Sequence, residues 1–216
     1  MRRRSGFQRF KDTIAFPLRA LLLPEKDRWG LSSWATERFD YVAREVRGYC
    51  LDVGCGVGNR FVIEFLGGHG KGIDAFPYEG LTAEQVVKDM SRFPFADQLF
   101  DSVVFIANIN HVPAALRSIE LRESYRVLKP SGNIIITMGN PWLEVAAHQM
   151  LHLHEKFFGE RNVYHEHGVE EEEIYYLKDK EILKLLRQAG FIDIRKKYFW
   201  TQWGLNHLFI GDKQKI

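Results

Sequence analysis

Residues 49–58, Tyr49-Cys50-Leu51-Asp52-Val53-Gly54-Cys55-Gly56-Val57-Gly58, constrain the fold more than any other stretch of this chain. An apolar run ends there in a loop with glycine at alternate positions, and a helical pattern follows over residues 59–66. Gly67-Gly68-His69-Gly70 stops that pattern, and Lys71-Gly72-Ile73-Asp74 reads as the next strand. Strand, glycine loop, helix and strand form the βαβ unit of a parallel sheet. The alternation continues. Residues 84–88 read as a strand leading to Asp89, residues 101–107 as a buried strand, and residues 113–128 as a helix with Pro113 in its first turn. Lys129-Pro130-Ser131-Gly132 is a stop and turn before a continuous apolar strand over 133–138. Residues 178–189 put Ile182, Leu185, Leu186 and Ala189 on one helical stripe closed by Gly190. Residues 191–200 and 205–211 are two strands whose short link favours antiparallel pairing.

The loop's chemistry narrows its ligand. Backbone N–H groups at a helix start face the crevice above the strand ends, and glycine lets a ligand approach the backbone closely. A dinucleotide fingerprint needs a third glycine where Asn59 stands, and the Gly-Lys-Ser/Thr of a nucleotide P-loop is absent. Asp52 at the strand end would repel a pyrophosphate and suits a ligand with a positive amino group and a sulfonium. Asp74 ends the second strand, about 20 residues after the loop, where an acid accepts from both ribose hydroxyls. A ligand with a ribose, an ammonium and no phosphate is S-adenosylmethionine.

At this point the sequence resembles the class I S-adenosylmethionine-dependent methyltransferases. Leu51-Asp52-Val53-Gly54-Cys55-Gly56-Val57-Gly58 is similar to their first motif. Asp89-Met90-Ser91-Arg92-Phe93-Pro94-Phe95-Ala96-Asp97-Gln98-Leu99-Phe100-Asp101 resembles their stretch of an adenine-contacting acid, Pro-Phe and Phe-Asp entering the fourth strand. His111-Val112, Arg126-Val127-Leu128-Lys129-Pro130-Ser131-Gly132 and Ala189-Gly190-Phe191 match the later motifs in order. The resemblance covers roughly residues 49–139 and 178–211. It implies a doubly wound, Rossmann-like α/β fold with helices on both faces. The implied sheet has seven mostly parallel strands in the order 3-2-1-4-5-7-6, the last antiparallel. It also implies roles. Asp52, Gly54, Cys55, Gly56 and Gly58 would surround the methionine end of the cofactor, Asp74 and Ala75 the ribose, Asp89 and Met90 the adenine. Asn108 and the residues up to His111 would face the reacting methyl. Two departures stand out: only residues 76–83 separate the second and third strands, and Ala107-Asn108-Ile109-Asn110 stands where relatives often carry a glutamate.

Outside these motifs, residues 1–48 form an expected helical arm or cap, and residues 49–216 the catalytic domain, with 140–177 as a substrate lid. The arm carries six basic residues against Asp12 within its first 20, and Pro17 should divide its helix. The lid holds His148, His152, His154, His165 and His167, plus Trp142, Phe157, Phe158, Tyr164, Tyr175 and Tyr176. Glu144, His148 and His152 share a helical face, but without a His-Glu-x-x-His motif or a cysteine no metal is expected. With 45% apolar and 27% charged residues in 216 and a net charge of +2, the chain is an ordinary globular mix. That composition gives no sign of nucleic acid as a partner. Cys50 and Cys55 cannot form a disulfide framework. The start MRRR is not followed by an unbroken apolar core, so no secretory signal is expected and the reading is cytoplasmic.

The expected function is methyl transfer from S-adenosylmethionine to a small-molecule or lipid-like acceptor, releasing S-adenosylhomocysteine. His111 is the candidate general base. The basic N-terminus is expected to pack as a helix or arm over the cofactor site, with weak membrane-surface contact as the other reading. The alternative is a non-catalytic S-adenosylmethionine-binding regulatory protein, suggested by the altered residues 108–110.

Overall fold

The computed structural model describes residues 2–22, 26–139 and 177–215. Six strands, β1 (Cys50–Val53), β2 (Gly70–Ile73), β3 (Phe100–Phe105), β4 (Leu128–Met138), β5 (Ile192–Tyr198) and β6 (His207–Asp212), form one sheet in the order β2-β1-β3-β4-β6-β5. The strands β2, β1, β3 and β4 run parallel, and β6 is antiparallel to β4 and to β5. This is the expected doubly wound α/β sheet with six strands in place of seven. The expected strand over 84–88 is reduced to a single parallel bridge from Asp74 to Val86, at the sheet edge where that strand belongs. The cause is local. Gln85 accepts the Thr82 N–H on its own side-chain oxygen at 3.1 Å, and residues Ala83–Gln85 wind into a 3₁₀ turn. Too few extended residues then remain to build a ladder.

Each buried strand alternates between two cores. Leu51, Val53, Val103, Phe105, Ile134 and Ile136 point to one face. There they meet Leu121 of α4 (Ala114–Val127) and Ile182 and Leu186 of α5 (Asp179–Gln188). Cys50, Val104, Ile135, Leu208 and Ile210 point to the other, against Tyr41 and Val42 of α3 (Trp34–Ala43) and Phe61, Val62 and Phe65. Burial on both faces explains the unbroken apolar runs of these strands. Pro113 stands at the N-cap position of α4, one residue before the first turn in which it was expected. The turn expected at 129–132 lies inside β4 as a bulge. There the pairing with β3 jumps from Phe100–Leu128 to Ser102–Asn133, with Ser131 at φ +64°.

The helix expected over 59–66 is also altered. Gly58 and Asn59 both have positive φ, so a 3₁₀ turn (Val57–Asn59) gives way to one π-type turn (Phe61–Phe65).

The N-terminal pattern divides as Pro17 requires, into α1 (Gly6–Ile14) and α2 (Phe16–Leu22). These helices are tied to α3 by charges at most 7% exposed. Arg4 donates to Asp12 at 2.8 Å, Glu37 at 3.0 Å and Asp40 at 3.1 Å, and Arg19 donates to Glu37 at 2.5 Å. Thr201 and Gln202, in the link from β5 to β6, also donate to Glu37. No helix of the described residues is long and apolar enough to cross a membrane. The lid expectation and its histidine face over 140–176 lie outside the described residues.

Candidate functional site

The site forms where β1 runs out. Gly54 and Cys55 turn back to the β2 end through N–H bonds to the Ile73 carbonyl, at 2.8 and 3.1 Å. Gly54, Gly56 and Gly58 all have φ between +61° and +73°, a region that suits glycine. At Gly54 a Cβ would stand 2.1 Å from the Asn108 amide nitrogen. That amide is fixed by donating to the Val53 carbonyl at 3.1 Å, so the segment after β3 closes directly on the loop.

Two carboxylates define the chemistry. Asp74, 5% exposed, accepts the Gly56 N–H at 2.9 Å on one oxygen and the Phe76 N–H at 3.0 Å on the other. It thereby locks the loop's shape, and each oxygen keeps a lone pair for a further donor. Asp52, 2% exposed, has an oxygen, Oδ1, with no partner. Burial, reinforced by the charge of Asp74, pushes the Asp52 carboxyl up to about 8. Asp52, Gly54, Cys55 and Gly56 line one cavity of about 230 Å³, together with Val57, Arg60, Phe39 of α3 and Ile106. Burial and the two aspartates push the Cys55 thiol well above its usual range, so it lines the wall as a neutral group.

The other predicted positions are not among the residues that line this cavity. Gly58 donates its N–H to Glu79 at 2.8 Å, which brings residues 78–80 over the loop. Ala75 is exposed just beyond Asp74. Asp89 is exposed, and bonds from the Ser91 hydroxyl and backbone N–H hold its carboxyl below the usual range. Met90 is buried with Phe93, Ile109 and Val112 in the core cluster. His111 is exposed on the turn after β3, its N–H donated to the Asn108 carbonyl at 2.8 Å.

Sequence reasoning missed Phe39, Val57, Arg60 and Ile106 in the lining. It also missed Glu120 of α4, which is 3% exposed with an unpartnered Oε2. Burial and the charge of Asp74 push Glu120 up to about 8, so a third acid belongs to the electrostatics of this crevice. Glu120 stands one residue before the core Leu121, and a charged residue at the edge of an apolar stripe reads as exposed. Among the described residues no cluster of three His, Cys, Asp or Glu could hold a metal.

The residues fit the expected cofactor. The unpartnered Asp52 oxygen suits an ammonium, the remaining lone pairs of Asp74 suit a ribose diol, and Gly54 and Gly56 leave the backbone bare at two positions of the wall.

Residues 51–136 match a family model described as methyltransferase domain. Comparison with curated proteins gives no match. Among solved structures, a SAM-dependent methyltransferase of Thermotoga maritima, a possible histamine N-methyltransferase, superposes with a TM-score of 0.60 at 18% identity. It covers 96% of this chain and 100% of its own. Haemonchus contortus phosphoethanolamine N-methyltransferase 2 gives 0.55 at 18%, covering 98% of this chain and 61% of its own. Burkholderia thailandensis 1,6-didemethyltoxoflavin-N1-methyltransferase gives 0.51 at 18%, covering 97% and 83%. At these identities the likeness speaks for the fold.

Proposed function

We propose that the chain, whose residues 51–136 match a methyltransferase domain, is a class I S-adenosylmethionine-dependent methyltransferase that methylates a small-molecule or lipid-like acceptor from the crevice above β1 and β3. The observation that carries the site assignment is Asp52, which lines the glycine-rich cavity and keeps one buried carboxylate oxygen without a partner. A buried carboxylate left unpaired is costly, and a cationic group of the cofactor supplies the missing partner. Asp52 holds the ammonium, Gly54 and Gly56 let the methionine end lie against backbone, and Asp74 takes the ribose hydroxyls. Asp89 and Met90 are assigned to the adenine by their match to the family motif. When bound, the cofactor supplies a methyl group on a sulfonium and leaves as S-adenosylhomocysteine.

The chain's own contribution is chiefly positioning. Asn108, pinned to the Val53 carbonyl and pressed on Gly54, sets the wall past which an acceptor must approach. In-line attack gains most from such orientation. An amine or thiolate acceptor needs no base, and for a hydroxyl acceptor His111 on the exposed turn is positioned to take the proton. The acceptor classes are supported by relatives of this fold that act on small nitrogenous molecules. The unpaired Cys50 and Cys55 suit a reducing, cytoplasmic setting.

Isothermal calorimetry with S-adenosylmethionine, S-adenosylhomocysteine, NAD and ATP tests the reading. The first two bind, the last two do not, and Asp74→Ala weakens binding on the order of 100-fold through lost charge-assisted hydrogen bonds. Binding of NAD, or no binding of either sulfur compound to folded protein, would refute it. Turnover on acceptor panels then separates an enzyme from a binding protein.

A further inference from the structure

The first helix, α1, is turned inside out, its one buried residue being Asp12. A surface helix normally directs its apolar stripe at the core. Along residues 4–19 the inward positions are Arg4, Asp12, Phe16 and Arg19, three of the four charged, while Phe7, Phe10, Ile14 and Leu18 recur at i, i+3, i+7 and i+11 on the outside, 49–72% exposed. The stripe has aromatic flanks. Trp203, 59% exposed, donates its indole N–H to the Thr13 carbonyl at 3.0 Å. The Gly30 carbonyl accepts from Gln8 and Lys11, which brings Trp29, 75% exposed, alongside. The rim is cationic. Lys11 reaches the Gly30 carbonyl and the exposed Arg28 adjoins Trp29, whereas Asp12 is buried and Asp27 is paired with Arg2.

This face stands beside the crevice. Because β6 is antiparallel to both β4 and β5, the link from β5 to β6 lies at the end of the sheet where β1 and β3 present Asp52 and Asn108. Trp203 belongs to that link.

We propose that the outward face of α1 and α2 docks the protein on an anionic lipid surface, with the crevice opening beside it. An apolar stripe bordered by tryptophan and by lysine and arginine is what partitions into the headgroup boundary. The same cationic rim opposes a second copy, since two such faces would bring like charges together. The docking is independent of the chemistry at Asp52. Its consequence, that the acceptor is an amphiphile met at that surface, rests on the methyl-transfer reading.

The test is flotation of the full chain with vesicles of equal parts phosphatidylcholine and phosphatidylglycerol, against phosphatidylcholine alone. Anionic vesicles should bind at least about tenfold more protein, with the excess lost at high salt. The triple variant Phe7→Ser/Phe10→Ser/Ile14→Ser should lose binding while keeping its melting temperature and its S-adenosylhomocysteine affinity. Equal binding to both vesicles, no binding to either, or full binding by the triple variant would overturn the proposal. So would a dimer in sedimentation equilibrium that the triple variant abolishes, since it assigns the face to a second copy. Vesicle binding without S-adenosylhomocysteine binding would leave the docking standing and remove the methyl-transfer reading instead.

Discussion

Replacing Asp52 by asparagine should stabilise the fold while damaging binding. In the folded chain the carboxyl is pushed up to about 8, against an ordinary 3.8. Between those values the folded state binds a proton that the unfolded state has released, so stability falls as pH rises. At pH 7 the window already crossed is about three units, a ceiling of roughly 4 kcal/mol at 1.36 kcal/mol per unit. Asparagine keeps the shape and removes the charge, but leaves a buried amide unpartnered at a cost of about 1–3 kcal/mol. The net expectation is a gain of about 1–3 kcal/mol at pH 7, or roughly 5 °C in melting temperature for a chain of this size. Thermal unfolding of both proteins by circular dichroism at pH 5, 7 and 8.5 measures it, and the difference should widen with pH. S-adenosylhomocysteine affinity should fall by roughly 10- to 100-fold in the same variant, as a charge-assisted bond is lost. A variant that is less stable at pH 8.5, or a difference that ignores pH, would refute the reasoning that a buried, unpaired carboxyl stands at this position.

Glu120→Gln should behave similarly in stability. Its carboxyl is also pushed up to about 8, so the variant's advantage in melting temperature should grow from pH 5 to 8.5. Glu37→Ala strands Arg4 and Arg19 in the interior and should cost about 3–5 kcal/mol, read as a fall of about 10 °C in melting temperature. Gly54→Ala drives a Cβ into the Asn108 amide and should lower both melting temperature and S-adenosylhomocysteine affinity. Adding Asn108→Ala should restore part of the stability but not all, because φ at Gly54 is +73°.

The sheet and the centre of the site were legible because local signals and tertiary packing agree there. The alternation of apolar runs with the Gly54, Gly56 and Gly58 turn announced β1, and Asp52, Gly54, Cys55 and Gly56 do surround one cavity. Where a local interaction competes with the pattern, the reading failed. Gln85 bonds back to Thr82 and ends a strand before it starts. Gly58 and Asn59 break a helix that the apolar spacing of 59–66 suggested. The N-terminus was opaque for another reason. Its arginines read as a basic helical arm with no partners named, but Arg4 is buried because Asp12, Glu37 and Asp40 converge on it from the helices. That convergence brings α1 and α2 onto α3, whose Phe39 forms one wall of the cavity. No spacing within residues 1–48 encodes such a long-range meeting of charges.

The central claim is that the free Asp52 oxygen receives the cofactor's ammonium. Calorimetric titration with S-adenosylhomocysteine at pH 7, repeated in buffers of different ionisation enthalpy, counts the protons released on binding. With the carboxyl near 8 in the free protein, binding that requires its charged form should release close to one proton in the wild type and none in Asp52→Asn. Tight binding with no proton released by the wild type, or an unchanged affinity in Asp52→Asn, would contradict it.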